Sequence, residues 1–231
     1  MPKDVKLWAM NDIENSFLMD RGDLALMKDV SRGSRESYLI LVNRYVDLIF
    51  RNAFRILCNR EDANAVTLKT FRALRNNILQ YDDRFTLAEW LLKKLCIYSR
   101  MRITRRRALR FFGVSAEVYA RAAPIVDQQD DFLVKQAWEL YCRASTYMTP
   151  LQSIAFSLYV LEGISQERLA EMLGLPHLTI VMACRRAEEK VLRELHHYKR
   201  EEDYHNYIYF LKKVADSQTS EEIFAYICGH F

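Results

Sequence analysis

Residues 161–195 read LEGISQERLAEMLGLPHLTIVMACRRAEEKVLREL. Gly163 follows Leu161 where one helix can end, and the Ser165 hydroxyl can cap the next, although Arg168 fills the place that a capping box gives to Glu. Leu169, Ala170 and Leu173 share one helical face, Gly174 supplies a tight turn, and the small Ala170 lets a second helix come close. Beyond the turn, Ile180, Cys184, Ala187 and Val191 recur at steps of four, three and four residues, a single inward stripe. This is the grammar of a helix-turn-helix; the alternative is an ordinary hairpin in a helical bundle. The positions that would face a DNA groove are His177, Leu178, Val181, Met182 and Arg185. An apolar side chain can touch a thymine methyl, but it cannot make the bidentate bonds that discriminate guanine or adenine. Arg185, Arg186 and Lys190 can hold phosphates, which positions a duplex without reading it.

The surrounding composition fits a helical chain. Hydrophobic residues make up 50% and charged residues 28% of 231 positions, an ordinary soluble balance. Six glycines and four prolines leave little material for the turns of an all-β protein, so the expected fold class is all-α. A net charge of +4 is mild, and an anionic partner has to be argued from local clusters. The five cysteines, 58, 96, 142, 184 and 228, are scattered and form no CxxC pair, which reads as reduced thiols with neither a disulfide framework nor a metal site. No nucleophile–base pair or glycine-rich phosphate loop is visible, so neither an enzyme nor a cofactor is expected. The lack of a basic-then-apolar leader and of an apolar run of roughly 18–20 residues points to a cytoplasmic protein without membrane insertion.

Helical periodicity divides the chain. Residues 1–112 read as an N-terminal helical domain, 113–131 as a linker rich in Asp and Gln around Pro124, 132–198 as the helix-turn-helix domain, and 199–231 as a C-terminal helical extension. In the first domain, Tyr38, Leu41, Tyr45, Leu48 and Ile49 form one stripe and Phe50, Phe54 and Leu57 a second, so this long helix is expected to be buried on more than one side. Between residues 84 and 110 nine Lys or Arg stand against one Glu, interleaved with Phe85, Trp90 and Tyr98. Guanidinium groups suit phosphates and aromatics can stack on unpaired bases, so this segment is a candidate for an anionic polymer. In the extension, Tyr204, Tyr207, Ile208 and Leu211 share a face that can fold onto the helix-turn-helix or the first domain and restrain DNA binding. Thr219 with Glu222 reads as a capping box for a closing helix.

A helical domain ending in a basic aromatic helix, an acidic linker and then a helix-turn-helix together resemble an extracytoplasmic-function sigma factor over about residues 21–195. The segments that carry the likeness are GDLALMKDVSRGSRESYLILVNRYVDLIFRNAFRILCNREDA, FTLAEWLLKKL with the later TRRR, and MTPLQSIAFSLYVLEGISQERLAEMLGL. The resemblance implies that the chain binds RNA polymerase core and directs it to promoter DNA, with an anti-sigma factor as a further partner. It implies a polymerase-binding role for Asp62, Val66, Leu68, Lys69 and Phe71. It places Arg100, Arg102, Arg105, Arg106 and Arg107 near melted promoter DNA, and His177, Thr179, Arg185 and Arg186 near the upstream element.

The chain also departs from that family. Asn64-Ala65 and Leu68-Lys69 stand where its members carry Glu-Asp and Gln-Glu, and Val181-Met182-Ala183 where they carry Lys-Ser-Arg. Losing acids and gaining a lysine alters a polar docking surface by leaving opposite charges unpaired. Two alternatives therefore stand beside the sigma-factor reading: a sigma-like adaptor or antagonist without promoter reading, and a helix-turn-helix regulator whose first domain dimerises.

Overall fold

A computed structural model describes residues 22–111, 131–195, 201–216 and 220–229. Every element among these residues is helical. The linker expected over 113–131 lies outside them except for Asp131, as do the lead-in before residue 22 and the cap expected at Thr219.

Helix α1 (Asp23–Ser31) and α2 (Arg35–Leu57) meet at Gly33, whose φ of 92° favours glycine. The Ser34 hydroxyl caps α2 by accepting from the Ser37 amide. Helix α2 is buried on more than one side, with Tyr38, Leu41, Val42, Val46, Ile49, Phe50, Ala53, Phe54 and Leu57 all in the core. It ends at Cys58, which is left-handed at φ 49°. Helix α3 (Arg60–Asn77), capped by Asn59, and α4 (Leu87–Phe111) complete the first half.

In the second half come α5 (Asp131–Tyr147), α6 (Pro150–Ala155), α7 (Gln166–Leu173) and α8 (His177–Glu194). Thr149 and Gln152 form a reciprocal capping box at the start of α6, with Pro150 in the first turn. Helix α6 runs into a wider π turn over Phe156–Leu161, which ends at Gly163 with φ 83°.

The two halves pack on each other along a continuous core. Trp138 of α5 stacks on Phe54 of α2 at 4.6 Å between ring centroids, and Tyr141 and Phe156 extend the aromatic column at 5.7 and 5.4 Å. The buried Tyr141 hydroxyl donates to the Arg55 carbonyl at 2.9 Å, so the column is hydrogen-bonded as well as stacked. Helix α9 (Glu201–Asp216) seats the apolar face of the extension, with Tyr207 and Leu211 buried, on α5, α2 and the π turn. Helix α10 (Glu221–Gly229) lies on α2 and α3, where the Ser220 hydroxyl bonds the Asp47 carboxylate and Arg35 donates to the Cys228 carbonyl at 2.6 Å.

Because the aromatic column joins the halves, Trp138→Ala should destabilise the whole chain by about 3–5 kcal/mol. Urea unfolding followed by circular dichroism and by the remaining tryptophans should give one coincident transition. Fluorescence that kept the wild-type midpoint would show that the halves unfold separately.

Candidate nucleic-acid interface

The helix-turn-helix is built by local chemistry. The Ser165 hydroxyl accepts from the Arg168 amide at 3.2 Å and starts α7, and Gly174, at φ 64°, closes it with a turn that a β-carbon would strain. Leu169, Ala170 and Met172 face α8, and Ile180, Ala183, Cys184, Ala187 and Val191 face back. Met172 and Ala183 add to the stripe that spacing reveals, while Leu173 is only half-buried. His177, Leu178, Thr179, Arg185 and Arg186 are exposed on the outer side of α8, Leu178 at 70%. Val181 and Met182 are half-buried between the two faces. The His177 ring lies 3.3 Å from Glu167 across the turn, and Arg185 pairs with Glu189 one helical turn away at 3.2 Å.

The residues assigned by resemblance on α3 and α4 have mixed surroundings. Asp62, Val66 and Phe71 are buried, so their side chains brace α3 instead of offering a docking surface. Leu68 is half-buried against the core, and Lys69 is exposed with its ammonium 4.6 Å from the centre of the Tyr98 ring. The Asp62 carboxylate collects two of the five arginines. Arg102 approaches one of its oxygens through Nε at 2.6 Å and Nη2 at 2.5 Å, while Arg106 approaches the other at 3.3 Å and also donates to the Leu57 carbonyl at 3.2 Å. A carboxylate that deep needs such partners, because an uncompensated buried charge is costly. Arg100 and Arg105 are exposed, and Arg107, also exposed, donates to the Met148 carbonyl at the α5–α6 turn.

Two carboxylates fix α7 and α8 against the first half. Glu162, at the end of the π turn, accepts from Arg51 at 2.5 and 3.2 Å, from Asn52 at 3.0 Å and from Arg55 at 2.8 Å, all on α2. Its side chain is 13% exposed and that of Arg55 2%. Burial pushes the Glu162 carboxyl up, yet the Arg51 hydrogen bond and charge, with Asn52 and Arg55, outweigh it and hold the group below its ordinary value. Glu89 at the start of α4 takes a forked contact from Arg168 of α7, at 2.5 and 2.8 Å. That hydrogen bond holds the Glu89 carboxyl down at about 2. Arg168 also donates to the Arg84 carbonyl at 3.0 Å and lies over the Phe85 ring at 4.8 Å. Sequence reasoning missed both clamps. The one signal was Arg168 itself, an arginine where a capping box wants an acid.

Removing the Glu162 carboxylate by Glu162→Ala leaves Arg55 inside without this counter-charge and should cost about 3–5 kcal/mol in a urea melt. The acid limb of stability is a second check. Glu89 has its folded value depressed to about 2 from an ordinary 4.5, so its contribution is complete above pH 4.5 and disappears as pH falls toward 2. Glu89→Gln should therefore be less stable at neutral pH and flatter across that window; an unchanged profile would show that the Arg168–Glu89 clamp adds nothing to stability. A comparison with known protein families and with characterised proteins finds no match to this chain.

Proposed function

We propose that the chain is a sigma-factor-like transcription initiation protein that binds RNA polymerase core and directs it to promoters through the outer face of α8. The observation that carries this reading is the division of α8. Ile180, Ala183, Cys184, Ala187 and Val191 are buried, while His177, Leu178, Thr179, Arg185 and Arg186 stand clear of the core on the side that a helix-turn-helix turns toward a groove. Arg185 and Arg186 supply phosphate contacts, and Leu178 supplies an apolar surface for a thymine methyl. Arg100 and Arg105 extend a cationic surface along α4 for the same polymer. Contact with polymerase then rests on Leu68, Lys69 and the neighbouring exposed turns of α3.

One observation favours a second reading, the sigma-like adaptor or antagonist. Asp62, Val66 and Phe71 are inside, and Asp62 engages Arg102 and Arg106, which removes five assigned side chains from the two partner surfaces. A chain of this kind would keep the polymerase contact and not initiate.

Run-off transcription with core polymerase and genomic DNA separates the readings. Specific initiation is the expected result, with Arg185→Gln/Arg186→Gln lowering transcript yield at least tenfold while leaving polymerase capture intact, as the removal of two charge-assisted hydrogen bonds implies. Capture without initiation selects the adaptor or antagonist, and DNA binding without capture selects a helix-turn-helix regulator.

A further inference from the structure

Two basic segments far apart in the chain converge on one turn. Lys190 of α8 donates from Nζ to the Tyr147 carbonyl at 2.6 Å and to Gln152 Oε1 at 2.7 Å. Arg107 of α4 donates to the next carbonyl, that of Met148. Adjacent residues are about 3.8 Å apart along the backbone, so an ammonium and a guanidinium from opposite halves of the chain lie side by side. Arg186 and Arg193, four residues before and three after Lys190, stand on the same face of α8 and are exposed. Burial, followed by repulsion from Arg107, Arg193 and Arg186, pushes the Lys190 ammonium below its ordinary value, which reports how close the four positive groups are.

The carboxylates of α8 do not balance this stripe. Glu189 pairs with Arg185 at 3.2 Å, Glu194 lies 3.6 Å from Arg143, and Glu188 faces Tyr204 of α9. On its inner side the stripe borders a recess of about 40 Å³ lined by Arg106, Arg107 and the hydroxyl-bearing Ser145, Thr146 and Ser153, a polar space with room for ordered water. Tyr147, 70% exposed, is the one large apolar side chain at this edge among the described residues. A protein partner would need a core of buried aromatic and aliphatic groups, which the edge does not offer. From Arg186 to Arg193 the stripe spans about 10 Å, close to the axial reach of three successive phosphates on one strand.

We propose that Arg107, Arg186, Lys190 and Arg193, gathered around the α5–α6 turn, form one continuous track for the sugar-phosphate backbone of duplex nucleic acid. The track exists because the two halves are docked. It holds a single stretch of backbone with helices that the sequence resemblance assigns to two separate promoter elements. It requires neither polymerase recruitment nor base reading by the first turn of α8, so a protein that binds duplex but gives no transcript leaves it standing.

Fluorescence anisotropy of the full chain with a labelled duplex of arbitrary sequence, across a range of salt concentrations, tests it. Each phosphate-binding cation removed should make the log–log salt dependence shallower by about one. Lys190→Gln/Arg193→Gln should therefore flatten the slope by about two and Arg107→Gln by about one, each weakening binding, with Lys28→Gln on α1 unchanged. Arg107→Lys, which keeps the charge, should retain the slope and guards against a folding defect in Arg107→Gln. Wild-type affinity and slope for Arg107→Gln would overturn the composite track. Displacement of the duplex by poly-glutamate at equal charge would overturn the nucleic-acid assignment in favour of an acidic protein.

Discussion

A carboxylate enters the protein at Glu162 and meets Arg51, Asn52 and Arg55 on the central helix. In a low-dielectric surrounding a charge pair of this kind tolerates little misplacement, since neither partner can turn to water if the other moves. Everything downstream of Gly163 inherits its position from that contact. The contact sets the angle at which α7 leaves the π turn, and the Arg168–Glu89 fork then settles the rotation of the pair about that point. The aromatic column of Phe54, Trp138, Tyr141 and Phe156 supplies the adhesion, but flat rings can slide, whereas a carboxylate bound by three donors cannot.

The constraint has a functional side. A helix-turn-helix on a loose tether can meet DNA in many orientations, at an entropic cost on binding. Here the orientation is chosen beforehand, and the outer face of α8 and the exposed arginines of α4 belong to one rigid surface. The internal use of Arg102 and Arg106 serves the same arrangement. They neutralise Asp62 and bind the end of α2, which leaves Arg100, Arg105 and Arg107 on the exposed side.

Much of the fold is legible in the sequence because it is local. The scarcity of glycine and proline, the stripe Ile180, Cys184, Ala187 and Val191, and the turn at Gly174 depend only on neighbours within a few residues. The double burial of α2 shows in its two apolar stripes. The Thr149–Gln152 capping box is equally readable, being a threonine three residues before a glutamine. What escapes a sequence reading is the partnering of charges. Asp62 and Arg102 are 40 residues apart and Arg51 and Glu162 are 111 apart, and nothing in either neighbourhood marks one as the mate of the other. The family resemblance turns Asp62, Val66 and Phe71 outward, yet α3 has a wide buried stripe that takes in all three. The apolar face of α9 is legible as a docking face; its choice of α5, α2 and the π turn is not.

The π turn itself has a consequence for how this chain can vary. By widening the helix over Phe156–Leu161 it absorbs an extra residue without breaking the rod. Deleting any one of those six positions would restore an ordinary helix and swing all that follows through about 100°. The acid now held by α2 would be aimed into solvent, and α7 would leave the bundle on another side. Length in that short segment is thus a steering parameter: chains that differ by a single codon there would share nearly every helix and point their nucleic-acid face in a different direction.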